Sequence, residues 1–261
     1  MKKYQQEVEQ ILKSIKPVTK PSIWKAENYV GGGRSGLTFL DLKVPDVRDA
    51  FKRGFSFYNP KLKEFNKRHL DIFNYIWMNS QNHEALSICL YYLKSLPFDV
   101  RKKNRAMILK WLSRVDNWAL SDEISSVFAE YLEDDHSLLP IYKKWNKSKN
   151  SWERRQSLVG LLFYSRFRKS KHLSWAQIKS FLDPLLEDED YYVQKAVGWT
   201  IREAYQWYPD VVFDYVVKNA TLIDPVAWYA CTEKMSLKEK NTLKVKRRER
   251  VRSRKNSSKL G

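Results

Sequence analysis

The sequence predicts an all-α fold, a superhelical solenoid of two-helix repeats with a concave basic groove. Three observations carry this. From Pro60 onward apolar residues recur at helical spacing, in windows at about 60–79, 82–95, 99–115, 118–133, 136–147, 150–168, 174–187, 189–207, 209–219 and 224–234. No alternating apolar and polar run is long enough to argue for a sheet. Acidic junctions at Glu130 to Asp135 and at Leu186 to Asp190 each close one helix and open another, where carboxylates complement the helix dipole.

The elements follow in order. Residues 2–16 read as an amphipathic helix with Val8, Ile11, Leu12 and Ile15 on one face, ended by Pro17. Trp24 to Tyr29 reads as a further helical turn. The next stretch, Tyr29-Val30-Gly31-Gly32-Gly33-Arg34-Ser35-Gly36, holds four of the eight glycines. It lacks the Lys-Ser/Thr ending of a phosphate-binding P-loop, and no strand precedes it, so it is either a flexible loop beside a bound backbone or a plain linker. After Val44-Pro45 a helix starts at Asp46 and runs to about Arg53. The remaining windows pair into units of roughly 35–45 residues, which matches HEAT-like repeats, with a globular bundle as the alternative. Residues 1–236 form a single repeat domain and 237–261 a basic tail, helical at first and disordered from Val251.

Composition narrows the function. Forty-eight Lys and Arg against thirty Asp and Glu give a net charge of +18, which implies a polyanionic partner, nucleic acid before an anionic membrane surface. The tail carries eleven cations against Glu239 and Glu249, and it reads as a nonspecific nucleic-acid arm or as a solvated solubility tail. Cys89 and Cys231 form no redox or metal motif, and the four histidines show no ligand spacing, so neither metal nor cofactor is expected. The two lone cysteines suit a reducing cytoplasm, or the nucleoid in a bacterium; no apolar run reaches membrane-spanning length, and the N-terminus reads as a polar amphipathic segment rather than a signal peptide.

The stretch Val115-Asp116-Asn117-Trp118-Ala119-Leu120-Ser121-Asp122 places an aromatic and a carboxylate four residues apart, on one helix face, next to the basic run Arg101 to Arg105. Core packing for the Trp and solvation for the Asp is the plain reading. Two later stretches are similar in kind: Asn150-Ser151-Trp152-Glu153-Arg154-Arg155, and Tyr192 to Arg202, in which Trp199 and Arg202 are three apart. Gly198 within the second costs a helix about 1 kcal/mol relative to Ala, so a close approach is expected there. Aromatic faces attract cations and pack on sugars, a carboxylate stabilises a developing oxocarbenium ion, and arginines hold phosphates.

These segments resemble the signature stretches of AlkD-like HEAT-repeat alkylpurine DNA glycosylases, most specifically Gln194-Lys195-Ala196-Val197-Gly198-Trp199 with Arg202-Glu203. Phe39 to Arg48 resembles the family's N-terminal helix-turn segment, and the likeness spans about residues 25–235. It implies a cofactor-free, monomeric enzyme that excises cationic N3- and N7-alkylpurines from double-stranded DNA without flipping the base. It also implies Asp122 as the catalytic carboxylate, and Trp118 and Trp199 as the pair packing on the deoxyribose. Arg155 matches a DNA-contacting arginine; Arg202, Arg154, Lys43, Tyr29 and Arg166 are further candidates for the DNA surface. The chain departs from the pattern in the triglycine stretch, in the tail and at Phe163, where a basic groove residue is expected and Arg166 or Arg168 would substitute. Some relatives lack part of the triad and bind DNA without excising bases, so a non-catalytic module for damaged or branched DNA is the second reading. A scaffold for an acidic protein is the third.

Overall fold

The structure is a computed structural model that describes residues 1–18, 25–62, 64–162 and 173–257, with 249–257 as backbone. It is all-α: among the described residues no β-strand forms, and two isolated bridges join Thr38 to Asn82 and Phe55 to Tyr58. The helices are α1 (Lys2–Lys13), α2 (Ala26–Gly31), α3 (Val44–Arg53), α4 (Lys67–Asn79), α5 (His83–Ser95), α6 (Phe98–Lys103), α7 (Arg105–Leu109), α8 (Trp118–Asp134), α9 (Leu139–Asn146), α10 (Ser151–Leu162), α11 (Trp175–Leu182), α12 (Tyr191–Tyr205), α13 (Pro209–Lys218), α14 (Pro225–Thr232) and α15 (Leu237–Ser257). They gather into two compact units, Met1–Val127 and Phe128–Gly261. None of the described helices is long and apolar enough to cross a membrane.

Where the observed ends differ from the expected ones, a side chain or a proline explains the difference. α3 begins at Val44 rather than Asp46, because Pro45 suits the first turn and the Lys43 carbonyl takes the first helical N–H groups. α4 waits until Lys67, because Asn66 caps it by accepting from the Arg68 amide at 2.9 Å. The 99–115 window is broken at Asn104, whose amide donates to the Val100 carbonyl at 2.8 Å; beyond it lie α7 and a 3-10 turn over Lys110–Arg114. Pro140 and Pro184 mark the changes between α-helix and 3-10 turn around α9 and α11. α15 runs on to Ser257 rather than stopping near Val251, in keeping with the good helix propensity of Lys and Arg and the lack of Gly or Pro in the segment.

Much of the aromatic content is core. In the first unit Phe73 stacks on Tyr92 at 4.0 Å, with Tyr58 edge-on to both. Trp77 stacks on Trp111 at 4.7 Å; the Trp77 indole donates to the Trp111 carbonyl, and the Trp111 indole to Asn74. At the start of α5, Glu84 is buried and accepts from the Leu40 amide at 2.9 Å and from Asn82 at 3.0 Å, which ties the 38–42 segment to the helix. Burial raises the Glu84 carboxyl despite those donors. Beside it His83 stacks on Phe39 at 4.8 Å, and burial pushes the imidazole down to about 4 although Asp116 acts in the opposite sense.

In the second unit α12 is central, packed on α10, α13 and α14 through Val193, Val197 and Ile201. Gly198 provides the anticipated close approach: a Cβ there would lie 2.4 Å from the Ala227 carbonyl oxygen and 2.9 Å from its Cα. Both cysteines are buried, Cys89 in the first unit and Cys231 in the second, and burial raises both thiols, Cys231 to about 12.

Three outcomes follow. Gly198→Ala should destabilise the chain by about 1–3 kcal/mol in urea unfolding, because backbone cannot yield as a side chain can, even though helix propensity alone favours Ala by about 1 kcal/mol. Gly36→Ala, whose Cβ would meet its nearest neighbour at 3.9 Å, should cost little. For His83 the folded value lies below the unfolded one, so the unfolded chain takes the proton first. Its contribution is complete above pH 6.5 and falls as the pH drops toward about 4, by on the order of 3 kcal/mol. The raised Glu84 carboxyl acts the other way, so the comparison must be made against His83→Gln. The wild type should lose more stability than the variant between neutral pH and pH 5.

Candidate functional site

Asn117 and Asp116 build the start of α8. The Asn117 side-chain oxygen accepts from the Leu120 amide at 3.1 Å, an N-cap bond, and its amide group donates to Asp116 at 3.1 Å. Asp116 Oδ2 accepts from the Ser35 hydroxyl and the Gly36 amide, each at 2.8 Å. The glycine-rich stretch is therefore latched onto α8 rather than being a plain linker. It reaches Asp116 through two left-handed residues, Gly32 at φ 59° and Gly33 at φ 70°. A Cβ on Gly31 would come within 3.0 Å of Ser35.

The latch sets the environment of Trp118, the first residue of α8. Its indole N–H donates to the Tyr29 carbonyl at 2.9 Å, and the two rings meet edge to face at 5.5 Å. Tyr29 itself is 60% exposed. Asp122 follows one helical turn after Trp118, and both side chains are half-buried. Lys43, at the cap of α3, is exposed. Tyr29, Trp118 and Asp122 thus belong to one locality of the first unit. An aromatic plane and a carboxylate on successive turns suit a sugar that develops positive charge.

The second unit holds Arg154, Arg155, Trp199 and Arg202. Arg154 grips Asp188 with two bonds, at 2.6 and 3.1 Å, and donates to the carbonyls of Ser148 and Lys149. Arg155 is only 3% exposed, and its guanidinium donates to the Tyr192 carbonyl at 2.7 Å, tying α10 to α12. Asp190 caps α12 by accepting from Tyr192 and Val193, and Gln194 donates to the Asp188 carbonyl at 2.7 Å. Trp199 is half-buried beside a shallow apolar pocket lined by Leu158, Val159, Leu162, Thr200 and Glu203. The Arg202 guanidinium lies 5.8 Å from the Trp199 ring centre, bonds Glu203 at 3.0 Å and bonds Glu233 at 2.8 Å. That last contact holds the Glu233 carboxyl below the usual range. Arg166, with Phe163 and Arg168, lies outside the described residues.

The sequence reading gave no role to Asp116, Asn117 or Tyr191. An Asp-Asn pair directly before an apolar helix is a capping signal and could have shown the first two. Tyr191, 49% exposed with Lys195 at 5.5 Å from its ring, has no such signal.

Against known proteins the chain shows likeness at two levels. No curated protein matches it. Among solved structures it resembles a predicted DNA alkylation repair enzyme from Enterococcus faecalis, at 16% identity and a TM-score of 0.58, over 77% of this chain and 90% of that one. It also resembles AlkD2 from Streptococcus mutans, at 16% identity and a TM-score of 0.55, over 90% and 99%. Smu.31 from Streptococcus mutans UA159 follows at 19% identity and a TM-score of 0.50, over 67% and 88%. At such identities the likeness is one of fold, the all-α helical-repeat fold these proteins share. The family profile described as DNA alkylation repair enzyme matches residues 13–235, which span both units, the Trp118–Asp122 turn and the Trp199–Arg202 turn, and the chain belongs to that family.

Proposed function

We propose that this member of the DNA alkylation repair family is a monofunctional DNA glycosylase that hydrolyses the N-glycosidic bond of cationic N3- and N7-alkylpurines in duplex DNA without flipping the base. One observation carries the reading: α8 opens with Trp118 held by the Tyr29 carbonyl at 2.9 Å and presents Asp122 one turn later. The orientation of the indole is set by the fold before any DNA arrives, which is the preorganisation that electrostatic catalysis needs.

In the proposed reaction the bond from C1′ to the purine nitrogen breaks and its electron pair leaves with the base. The alkylated purine already carries the positive charge, so it departs neutral and needs no general acid. The charge left on the sugar is met by the Asp122 carboxylate, and water adds at C1′ and gives up a proton. Trp118 and Trp199 are assigned to the lesion nucleotide, Lys43 and Tyr29 to the flanking backbone, and Arg202 to a supporting role beside Trp199. The reaction requires neither metal nor cofactor, and the enzyme acts as a monomer and belongs in the cytoplasm with the DNA. Arg154 and Arg155 are assigned a structural role, since their guanidinium groups are spent on Asp188 and the Tyr192 carbonyl.

Release of 3-methyladenine or 7-methylguanine from methylated duplex DNA tests the assignment. Asp122→Asn should slow single-turnover release by about 100-fold or more; equal release by wild type and variant would refute it. Tight, salt-sensitive binding without any release by the wild type would support the non-catalytic DNA module instead. Arg155→Met should cost about 1–3 kcal/mol of stability and leave the salt dependence of binding unchanged. Lys43→Gln should lower that dependence by the equivalent of about one phosphate.

A further inference from the structure

α15 begins at Leu237, two residues past the stretch that matches the family profile, so it is an addition to the matched region. It is docked rather than trailing. Leu243 is fully buried, and α15 packs against α13. Glu239 accepts from the Tyr205 hydroxyl at 2.9 Å and from Ser236 at the start of the helix, and these bonds hold its carboxyl below the usual range. The Lys240 ammonium donates to the Glu233 carbonyl at 3.0 Å. Arg247 lies 4.2 Å over the Trp228 ring, half-buried, where desolvation lowers its affinity for the proton. The helix therefore spends one acid, two cations and a leucine on attachment.

Among the described side chains, what remains faces outward. Lys238, Lys244 and Arg248 are exposed, the last two one turn apart on the same face, and Asn241 lies between them and Lys238. Among the residues of α15 whose side chains are described, the one acid, Glu239, is bonded to Tyr205 and Ser236 and does not stand on that face. A solubility tail needs no such anchoring, which fixes the cations in position at the cost of side-chain and backbone freedom. A membrane-surface helix would carry a broad apolar face against the bilayer; here the buried leucine points into the protein, and among the described side chains of the helix Leu237 and Val245 are the exposed large apolar ones.

We infer that the outer face of α15 is a second, preorganised phosphate-binding surface, which contacts the backbone of duplex DNA outside the lesion site and strengthens binding without touching the chemistry. The inference rests on the reading of the chain as a DNA-binding repair protein, but not on base release.

The test replaces Lys238, Lys244 and Arg248 together with Gln, keeping Leu243, Glu239 and Arg247, and follows binding of the full chain to an unmodified DNA duplex by fluorescence anisotropy across a salt series. The slope of log Kd against log salt should fall by about two to three, roughly 0.9 for each phosphate that the variant no longer neutralises. Unfolding in urea should match wild type, and the single-turnover rate of base release at saturating enzyme should also be unchanged. An unaltered slope in a folded variant would overturn the inference. So would loss of binding to anionic phosphatidylserine vesicles with DNA binding intact, because it would make the surface a membrane contact. If the wild type releases no base, the glycosylase reading fails while the change in slope still decides the role of α15.

Discussion

Asp116 and Asn117 divide the work of starting α8, and the candidate site in the first unit depends on that division. Asn117 satisfies a helical amide, the Leu120 N–H, that would otherwise have no acceptor at the helix N-terminus. Asp116 reaches away from the helix and holds the Ser35 hydroxyl and the Gly36 amide. Because the glycine stretch is tethered there, the last turn of α2 lies alongside and the Tyr29 carbonyl is in position to take the Trp118 indole proton. Two carboxylate bonds to a loop thus become control over an aromatic ring. Without them Trp118 would be one more half-exposed residue at a helix end.

The same arrangement explains the glycines. Gly32 and Gly33 adopt left-handed backbone, and a Cβ on Gly31 would crowd Ser35 at 3.0 Å. A run of three in an otherwise glycine-poor chain reads as flexibility when met in sequence. In the fold it is the means by which α2 ends abruptly and the chain returns to α8 within a few residues.

Local pattern was legible where local physics decides. The helical period identified the all-α class and most of the helices, and the cost of Gly198 within a helix foretold a close neighbour, which is the Ala227 backbone of α14. Helix ends were less legible, because Asn66, Asn104, Pro140 and Pro184 act through single bonds or a missing N–H that hydrophobic spacing does not register. The latch between Asp116 and residues 35–36 was not legible, since eighty positions separate the partners and neither stretch needs the other to form its own helix. Nor was the fate of Arg155, for nothing in the local sequence says that Tyr192 will stand beside it.

The arginines show why net charge is a poor guide to which cations meet a polyanion. Arg154, Arg155 and Arg202 sit in the most family-like stretches, yet Arg154 and Arg202 are matched to Asp188, Glu203 and Glu233 and Arg155 to a backbone carbonyl. Arg suits such places because its planar fork satisfies several acceptors at once and stays charged when partly buried. Lysine is more strongly hydrated and loses more on burial, so it stays at the surface, as Lys43, Lys238 and Lys244 do. A guanidinium already paired with a carboxylate offers a phosphate little net attraction, since the acid beside it cancels the field at a distance and the pair would have to be broken for direct contact. The charge that these three arginines would lend to a DNA backbone is therefore reduced. The arginines contribute by holding α10, α12 and α14 in the register that presents Trp199.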